Sequence, residues 1–490
     1  MASLEEIKSE RLKKIELLRD AGMQAYPATT NRTSDIRTFV STFEQLEKEQ
    51  TEKTLAGRVR SIRLHGALAF FDLFDGTGSI QVYLKKDTLG EPLFTLFENT
   101  VDESDFIEVT GGASTTKRGV RSIKPTGWRM LTKSLRPVPE SFYGLKDEEE
   151  RLRKRYLDIL LNPEVRDLIE KKSKFWDVTR SFLKERGFLE VETPTLEVTT
   201  GGAEANPFKT HHNDFDLNVY LRISIGELWQ KKLMASGIEK TFEIGRAYRN
   251  EGSSTEHVQE FTNMECYGAY INLDEGKKLT QDLYRTLALK VFNTTQFTTR
   301  GHTFDLALDW PEIDYVSEVL NQTGVDVLDS SEEEMTRALK KLDIQFDGKN
   351  RERLTDALWK YCRRHISGPA FLINHPKIVA PLSKEHEKDN RKTEMFQIIV
   401  AGSEMGRAHA ELNDPVDQQS RFEAQGKLIE GGDKEAMMPD HEFIEALEYG
   451  IPPTFGFGFG ERLFAYLADK PIREIAIFPL MKPKKELDGN

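Results

Sequence analysis

The chain has 490 residues, which is long enough for two or more domains with their own buried cores. Its 38% hydrophobic and 31% charged residues are typical of a globular protein, and no stretch approaches the roughly 20 apolar residues that span a bilayer. The net charge of -12 argues against a nonspecific nucleic-acid coat protein, although a local basic surface would still bind a polyanion.

The chain ends and the cysteines indicate the compartment. Residues 1–6 are charged and lack the apolar core of a signal peptide, and residues 487–490 carry no retention signal. The two cysteines, Cys266 and Cys362, are too few for a disulfide framework or a four-cysteine zinc site. We therefore expect a cytoplasmic protein with reduced thiols and no membrane association.

The N-terminal part of the chain predicts one helix and a small barrel. Residues 4–21 carry apolar side chains at near-helical spacing, and residues 55–84 show short apolar runs around the turn sequence Asp75–Gly78. Further strand-like pieces at 106–109 and 128–131 favour an OB-fold β-barrel. Basic residues of this part are candidates for polyanion binding, with solvated surfaces as the alternative: Lys8, Arg11, Lys13, Lys14, Arg58, Arg60 and Arg63.

The remainder of the chain indicates one large α+β domain. A polar connector at about 140–150 places the boundary, so we predict a first domain at 1–145 and a second at 146–490. Helical patterns alternate with apolar strands there without an internal repeat. The charged segment from Ser330 to His365 predicts a small helical insertion.

The most informative stretch runs from Phe242 to Glu251 and continues through His257 to Tyr267. It predicts a strand, a polar loop and a second strand. If the two strands are antiparallel neighbours, Arg249 and Glu265 face one site, where the arginine offers paired hydrogen bonds to a phosphate or carboxylate. The alternative is an edge hairpin with surface ion pairs.

These residues resemble motif 2 of class II aminoacyl-tRNA synthetases, and specifically of lysyl-tRNA synthetases. Residues 187–196 resemble motif 1, residues 456–463 resemble motif 3, and the blocks at 201–203, 370–376 and 410–415 are similar to the same family. The N-terminal barrel is similar to the family's anticodon-binding domain. The resemblance implies an OB-fold β-barrel followed by a class II catalytic domain, which is built on an antiparallel sheet flanked by helices.

The resemblance implies an ATP site that uses Mg2+. Arg249 would bind the α-phosphate and the substrate carboxylate, while Phe261 and Arg462 would sandwich the adenine. Contacts from the motif 2 loop and a metal ligand would complete the site, namely Glu251, His257 and Glu404. Gln397 stands where lysyl enzymes usually carry a second metal-binding glutamate, so the number of ions is left open. Alternating glycines at 456, 458 and 460 would let ATP lie against the backbone of a strand.

The resemblance also implies a lysine site, because a buried ammonium needs acceptors around it. Three side chains match the positions that hold the ε-ammonium: Glu265, Tyr267 and Glu411. Glu227 and the backbone of Gly202 would take the α-amino group, although one extra residue precedes Glu227. Arg407 and His409 replace the asparagine and the aromatic residue that are usual in the family, which leaves the shape of the pocket open.

The implied partners are L-lysine, ATP and tRNA(Lys), with a homodimer formed through motif 1. In the barrel, Phe70 and Gln81 match anticodon-contacting positions and Arg60 would meet the backbone of the RNA. For Phe70 a place in the core is the alternative. Two other functions are kept open: an aspartyl- or asparaginyl-tRNA synthetase, and a degenerate synthetase that only binds RNA or a partner.

Overall fold

The structure is a computed structural model that describes residues 3–139, 145–203, 205–346, 350–431 and 436–484. It divides into two compact units, Met1–Lys146 and Asp147–Asn490, which are described separately. The predicted connector falls partly outside the described residues, as do residues 1, 2 and 487–490 of the chain ends. No helix within the described segments has the length and apolar character needed to cross a membrane.

The first unit contains a closed five-stranded barrel with strand order β1-β2-β3-β5-β4. Its helices are α1 (Leu4–Asp20), α2 (Ile36–Ser41), α3 (Phe43–Glu49), α4 (Lys86–Leu89) and α5 (Glu91–Thr100). Its strands are β1 (Glu52–His65), β2 (Leu68–Phe74), β3 (Ser79–Lys85), β4 (Phe106–Thr115) and β5 (Arg121–Thr132). The predicted OB-fold barrel and the predicted first helix are therefore confirmed.

Alternation along β2 separates the barrel core from its outer face. Ala69, Phe71 and Leu73 are fully buried, and the positions between them are only partly buried. The turn after β2 is held by Asp75, whose Oδ1 accepts a hydrogen bond of 2.8 Å from the backbone amide of Thr77. The two-residue period of the strand thus decides which aromatic side chains enter the core.

The second unit surrounds an eight-stranded sheet with helices. The helices are α6 (Glu148–Arg153), α7 (Arg155–Leu161), α8 (Pro163–Lys184), α9 (Glu227–Ala235), α10 (Leu273–Leu287), α11 (Tyr315–Thr323), α12 (Glu332–Lys341), α13 (Arg351–Cys362), α14 (Pro415–Glu430), α15 (His441–Glu448), α16 (Arg462–Leu467) and α17 (Ile472–Ile475). The strands are β6 (Leu189–Glu190), β7 (Leu196–Glu197), β8 (Lys209–His212), β9 (Leu217–Leu221), β10 (Lys240–Tyr248), β11 (Glu260–Ala269), β12 (Gln296–Thr299), β13 (His302–Asp305), β14 (Glu312–Asp314), β15 (Ala370–Ile373), β16 (Glu385–His386), β17 (Asp389–Thr393), β18 (Met395–Val400), β19 (Ser403–Ala410) and β20 (Thr454–Gly460).

The large sheet has the order β14-β15-β18-β19-β20-β11-β10-β6. Its six middle strands pair antiparallel, whereas the edge strands β14 and β6 pair parallel with their neighbours. The predicted antiparallel hairpin of motif 2 is confirmed as β10 and β11, in which Glu243 lies opposite Glu265. The sheet brings motif 2 next to the glycine-rich strand β20.

The segment from Ser330 to His365 contains α12 and α13, at the place predicted for a helical insertion. Ser331 caps α12 by accepting a hydrogen bond from the backbone amide of Glu334. Leu354, Leu358 and Trp359 of α13 are buried in a core that α11 and α12 share. The periodic apolar residues of this charged segment therefore pack inward, as amphipathic helices do.

Candidate active site

A cavity of about 570 Å3 lies over the middle of the large sheet. Its lining includes residues of β11, β18, β19, β20, the motif 2 loop and the insertion helix α13. Every residue predicted for the ATP and lysine sites lines this cavity: Gly202, Glu227, Arg249, Glu251, His257, Phe261, Glu265, Tyr267, Gln397, Glu404, Glu411 and Arg462. Residues that are far apart in the sequence therefore converge, while their individual roles stay predictions.

One end of the cavity is acidic. Glu265 accepts a hydrogen bond of 2.8 Å from the backbone amide of Ile225 at Oε1 and one of 3.0 Å from the Tyr267 hydroxyl at Oε2. Glu227 begins helix α9 and also lines the cavity, so the extra residue before it does not remove it from the site. Burial, followed by repulsion from Glu227, raises the pKa of Glu265.

A lysine of the chain itself pairs with this acidic end. Lys231 Nζ lies 2.7 Å from Glu227 Oε1 and 2.5 Å from Glu411 Oε2. Burial acts to lower the pKa of Lys231, but the two carboxylates outweigh it and raise the pKa, so the side chain stays an ammonium. Burial also raises the pKa of Glu411, and Lys231 opposes that rise.

The glycines of β20 make room for the acidic side chains. Gly456 lies opposite Tyr267 and Gly458 lies opposite Glu265 in the strand register. A Cβ atom on Gly456 would lie 1.9 Å from Glu411 Oε1, and one on Gly458 would lie 2.9 Å from the Cγ of Glu265. Since real Cβ atoms do not approach so closely, a side chain at either position would displace these carboxylate side chains, which adds a reason for glycine to the one predicted.

The other end of the cavity is cationic. The Arg249 guanidinium lies 5.2 Å from the centre of the Phe261 ring, and its Nε donates a hydrogen bond of 3.3 Å to the carbonyl of Ile223. Arg462 donates to the backbone carbonyl of Glu404 and lies 3.9 Å from the carboxylate of Glu256. Arg407 lines the same cavity and has an exposed side chain.

The predicted anticodon residues share the outer face of the barrel. Phe70 is half-buried and stacks on Tyr83, with ring centres 4.8 Å apart, so its placement in the core is excluded. Gln81 Oε1 accepts a hydrogen bond of 3.0 Å from Ser122, and the Arg60 guanidinium lies 3.8 Å from the centre of the Phe74 ring.

Two of the predicted basic candidates have structural partners instead. Arg11 is buried and donates to the carbonyls of Ser134 and Glu103, and Lys14 lies 2.7 Å from Asp102. Their charges serve the packing of α1 on the barrel, because their donors are already engaged.

Comparisons with known proteins agree with this arrangement. Residues 147–482 match the family model for class II tRNA synthetases (D, K and N), and residues 53–131 match the OB-fold nucleic acid binding domain. The lysine–tRNA ligase of Roseiflexus sp. (strain RS-1) is 42% identical, over 98% of this chain and 99% of that protein. The lysine–tRNA ligases of Thermotoga maritima and Halalkalibacterium halodurans are 41% and 40% identical, over 98% of this chain and 97% and 98% of their own lengths. The chain belongs to the lysine–tRNA ligase family of class II tRNA synthetases.

The members of this synthetase family need a nucleotide site, and Glu404, the residue predicted to bind a metal ion, lines the cavity. Its carboxylate accepts hydrogen bonds of 2.8 Å from Trp359 Nε1 and 3.2 Å from Gln397 Nε2. Burial acts to raise the pKa of Glu404, but Arg363 and Arg407 outweigh it and lower the pKa, so the carboxylate is ionised.

The residues around Glu404 fit a metal ion that is shared with substrate. Gln397 Oε1 lies 3.1 Å from His375 Nε2, so the amide presents its nitrogen to Glu404. Among the described residues, no cluster of three or more His, Cys, Asp or Glu side chains could hold an ion by itself. This donor set suits Mg2+, which commonly binds through one or two carboxylates together with substrate phosphates. A role for Gln397 as a ligand stays a prediction.

Two groups of synthetase residues were missed from the sequence. Lys231 follows Glu227 by four residues, which is the spacing of an ion pair on one helix face. Helix α13 of the insertion also lines the cavity through four charged side chains, Glu352, Arg353, Asp356 and Lys360. Glu352, Asp356 and Lys360 are spaced four residues apart along the helix. This spacing could have predicted from the sequence that one charged face of the insertion lies toward the site.

Proposed function

We propose that this chain activates L-lysine with ATP to lysyl-adenylate and transfers the lysyl group to the 3' end of tRNA(Lys). The observation that carries this proposal is a single cavity with carboxylates at one end and arginines at the other. Such a cavity suits a substrate with ammonium groups and a carboxylate that must meet a triphosphate. The nucleophile is the lysine carboxylate, so no catalytic serine or cysteine is required.

In the proposed ATP site, Arg249 acts on the reacting groups. Its guanidinium binds the α-phosphate and the lysine carboxylate, bringing nucleophile and electrophile together. Phe261 and Arg462 enclose the adenine, and Glu251 and His257 approach from the motif 2 loop. Attack of the carboxylate on the α-phosphorus breaks the bond to the β-phosphate and releases pyrophosphate; a ribose hydroxyl of tRNA then attacks the carbonyl and releases AMP.

The proposed site also uses Mg2+, with Glu404 as its protein ligand. The ion supplies positive charge next to the phosphates, where negative charge would otherwise oppose attack by the carboxylate. Glu404 is positioned for this by Trp359 and Gln397, which hydrogen-bond its two oxygens. The cations Arg249, Arg407 and Arg462 line the same cavity and add to the neutralisation.

In the proposed lysine site, Glu265, Tyr267 and Glu411 surround the ε-ammonium, while Glu227 and Gly202 meet the α-amino group. An aspartate or asparagine substrate fits this end poorly, because Lys231 offsets only part of the charge of the three carboxylates and an acidic or neutral side chain would leave the rest without a counter-charge. A degenerate protein that only binds RNA is disfavoured as well, because Arg249, Glu404 and Arg462 all remain in the cavity.

The decisive test is pyrophosphate exchange measured with each of the twenty amino acids. We expect exchange with lysine and background rates with aspartate and asparagine. Exchange with aspartate or asparagine and none with lysine would replace the proposed substrate. Absence of exchange with every amino acid, in a folded protein, would favour a binding protein.

For tRNA, we propose that the outer face of the barrel reads the anticodon through Phe70, Gln81 and Arg60. Replacing Phe70 by alanine removes a stacking surface that is worth about 1–3 kcal/mol per base in proteins that bind single strands. We expect a higher KM for tRNA and unchanged pyrophosphate exchange. Phe215, an exposed aromatic residue of the second unit, provides the matched control. Equal tRNA charging by Phe70→Ala and wild type would remove this face from the proposal.

We also propose a cytoplasmic homodimer formed through motif 1. Three large apolar side chains in and next to this motif are exposed: Leu189, Leu196 and Val198. Exposed apolar groups of this kind are available to an association surface, and a two-fold contact would bury them on both subunits. Sedimentation is expected to give twice the chain mass of 56.2 kDa. A fully active monomer would refute the dimer.

A further inference from the structure

Lys231 is buried behind the acidic end of the cavity. Its side chain is 3% exposed, and the carboxylates it contacts, Glu227 and Glu411, are 9% and 2% exposed. The described lining of the cavity includes Glu227, Glu265 and Glu411 but not Lys231. The ammonium therefore touches the carboxylates from the side away from the substrate space.

The four charged groups form one electrostatic unit. Besides burial, the pKa of Glu411 responds to Lys231, Glu227 and Glu265, and that of Glu265 responds to Glu227 and Lys231. When all are ionised, three carboxylates and one ammonium leave two negative charges. Lysine brings two ammonium groups to this end of the cavity, while its carboxylate faces Arg249. The two negative charges that remain beside Lys231 thus balance the two positive charges of the substrate's amino groups.

Glu411 retains an acceptor for the substrate in this arrangement. Its Oε2 contacts Lys231, whereas no donor among the described residues reaches Oε1, which is buried above Gly456. A buried carboxylate oxygen without a donor is costly, so this atom favours a cationic ligand. Glu265, in contrast, already accepts from Ile225 and Tyr267.

We propose that Lys231 is a specificity-determining positioning residue: it neutralises one of the three carboxylates, so that the fully ionised pocket carries two negative charges, matching a substrate with two ammonium groups. The inference rests on the proposed function and deepens it. It differs from a purely structural ion pair in one respect. If the net charge of the pocket determines lysine binding, replacing either Lys231 or one carboxylate alone unbalances the pocket charge against the substrate charge. Replacing both together restores the balance.

The test is a double-mutant cycle with Lys231→Met, Glu411→Gln and the double variant, read out as KM for lysine and for ATP in pyrophosphate exchange. Lys231→Met leaves one negative charge too many and Glu411→Gln one too few. We expect each to raise the lysine KM on the order of tenfold, and the double variant to return to within about threefold of wild type. The ATP KM should stay unchanged throughout.

Lys232→Met is the matched control, because this neighbour on α9 pairs with Asp440 and Glu442 instead of the pocket. Thermal unfolding of every variant shows whether it folds. If Lys231→Met does not fold, the lysine KM of the double variant is compared with that of Glu411→Gln. A lower lysine KM in the double variant supports the proposal. Additive effects, an unchanged KM in folded Lys231→Met, or failure of both Lys231 variants to fold would overturn it.

This cycle separates the inference from the proposed function. Wild-type protein that shows no exchange with lysine contradicts the function itself. Wild-type exchange with lysine, combined with additive effects in the cycle, contradicts only the charge-matching role of Lys231.

Discussion

Replacing Arg249 by alanine is expected to reduce lysine-dependent pyrophosphate exchange by about 100-fold to 1000-fold, because one donor to charge that develops at phosphorus is lost. The guanidinium lies beside Phe261 in the cavity and makes one hydrogen bond to a backbone carbonyl, that of Ile223. Its removal should therefore leave the fold intact. The effect should fall mainly on the rate of adenylate formation.

The matched control is Arg246→Ala, three residues earlier and within β10. Arg246 is exposed and forms an ion pair of 3.4 Å with Glu260, both about half exposed, which contributes little to stability. We expect this variant to exchange pyrophosphate at the wild-type rate. Near-normal exchange by Arg249→Ala would exclude it from the reacting site, and an equal loss in both variants would point to damage of strand β10.

The second large effect is expected for Glu265→Gln, which should raise the lysine KM on the order of 100-fold and leave the ATP KM nearly unchanged. The carboxylate would meet the ε-ammonium, which is the end of lysine away from the reacting carboxylate. Glutamine keeps the size but replaces a charged acceptor by a neutral amide, and hydrogen bonds to charged groups contribute about 1.5–3 kcal/mol. Discrimination against uncharged analogues should weaken in parallel.

The structure ranks the two glutamates that face the ε-ammonium. The cation that lies 2.5 Å from Glu411 is Lys231. Because Glu411 already shares its charge with Lys231, the effect of Glu265→Gln should exceed that of Glu411→Gln. Glu260→Gln, at the exposed start of the same strand, is the control. An unchanged lysine KM in both pocket variants would refute the proposed lysine site.

Local patterns were sufficient to predict much of the fold. The hairpin of β2 and β3 follows from short apolar runs around the turn at Asp75, and the hairpin of β10 and β11 follows from two apolar runs around a polar loop. Motif spacing also gathered residues that lie together, since all those predicted for ATP and lysine line one cavity, while their roles stay predictions. Such features depend on neighbours in the sequence or on motifs that a family shares.

The parts that were not predicted depend on contacts between distant segments. The sequence places Lys231 as one more cation on an amphipathic helix, because it does not show that Glu411, from a distant segment, lies beside it. In the sequence, Trp359 cannot be told from a core residue of the insertion, yet its indole nitrogen donates a hydrogen bond to Glu404. Likewise, Gly456 was predicted to give room to a nucleotide, and the structure adds Glu411 and Tyr267 as side chains that a Cβ atom there would meet. Sequence spacing gives no information on such partners.

Gly456 and Gly458 of β20 also constrain how the amino acid preference of this enzyme could evolve. Every residue other than glycine carries a Cβ atom, so any single codon change at Gly456 or Gly458 that alters the residue meets Glu411 or Glu265. A new substrate is therefore not accessible by gradual filling of the pocket from below. It requires changes at the charged side chains of the pocket, where Glu227 and Glu411 pair with Lys231. The first change toward another amino acid would therefore weaken binding of the present substrate.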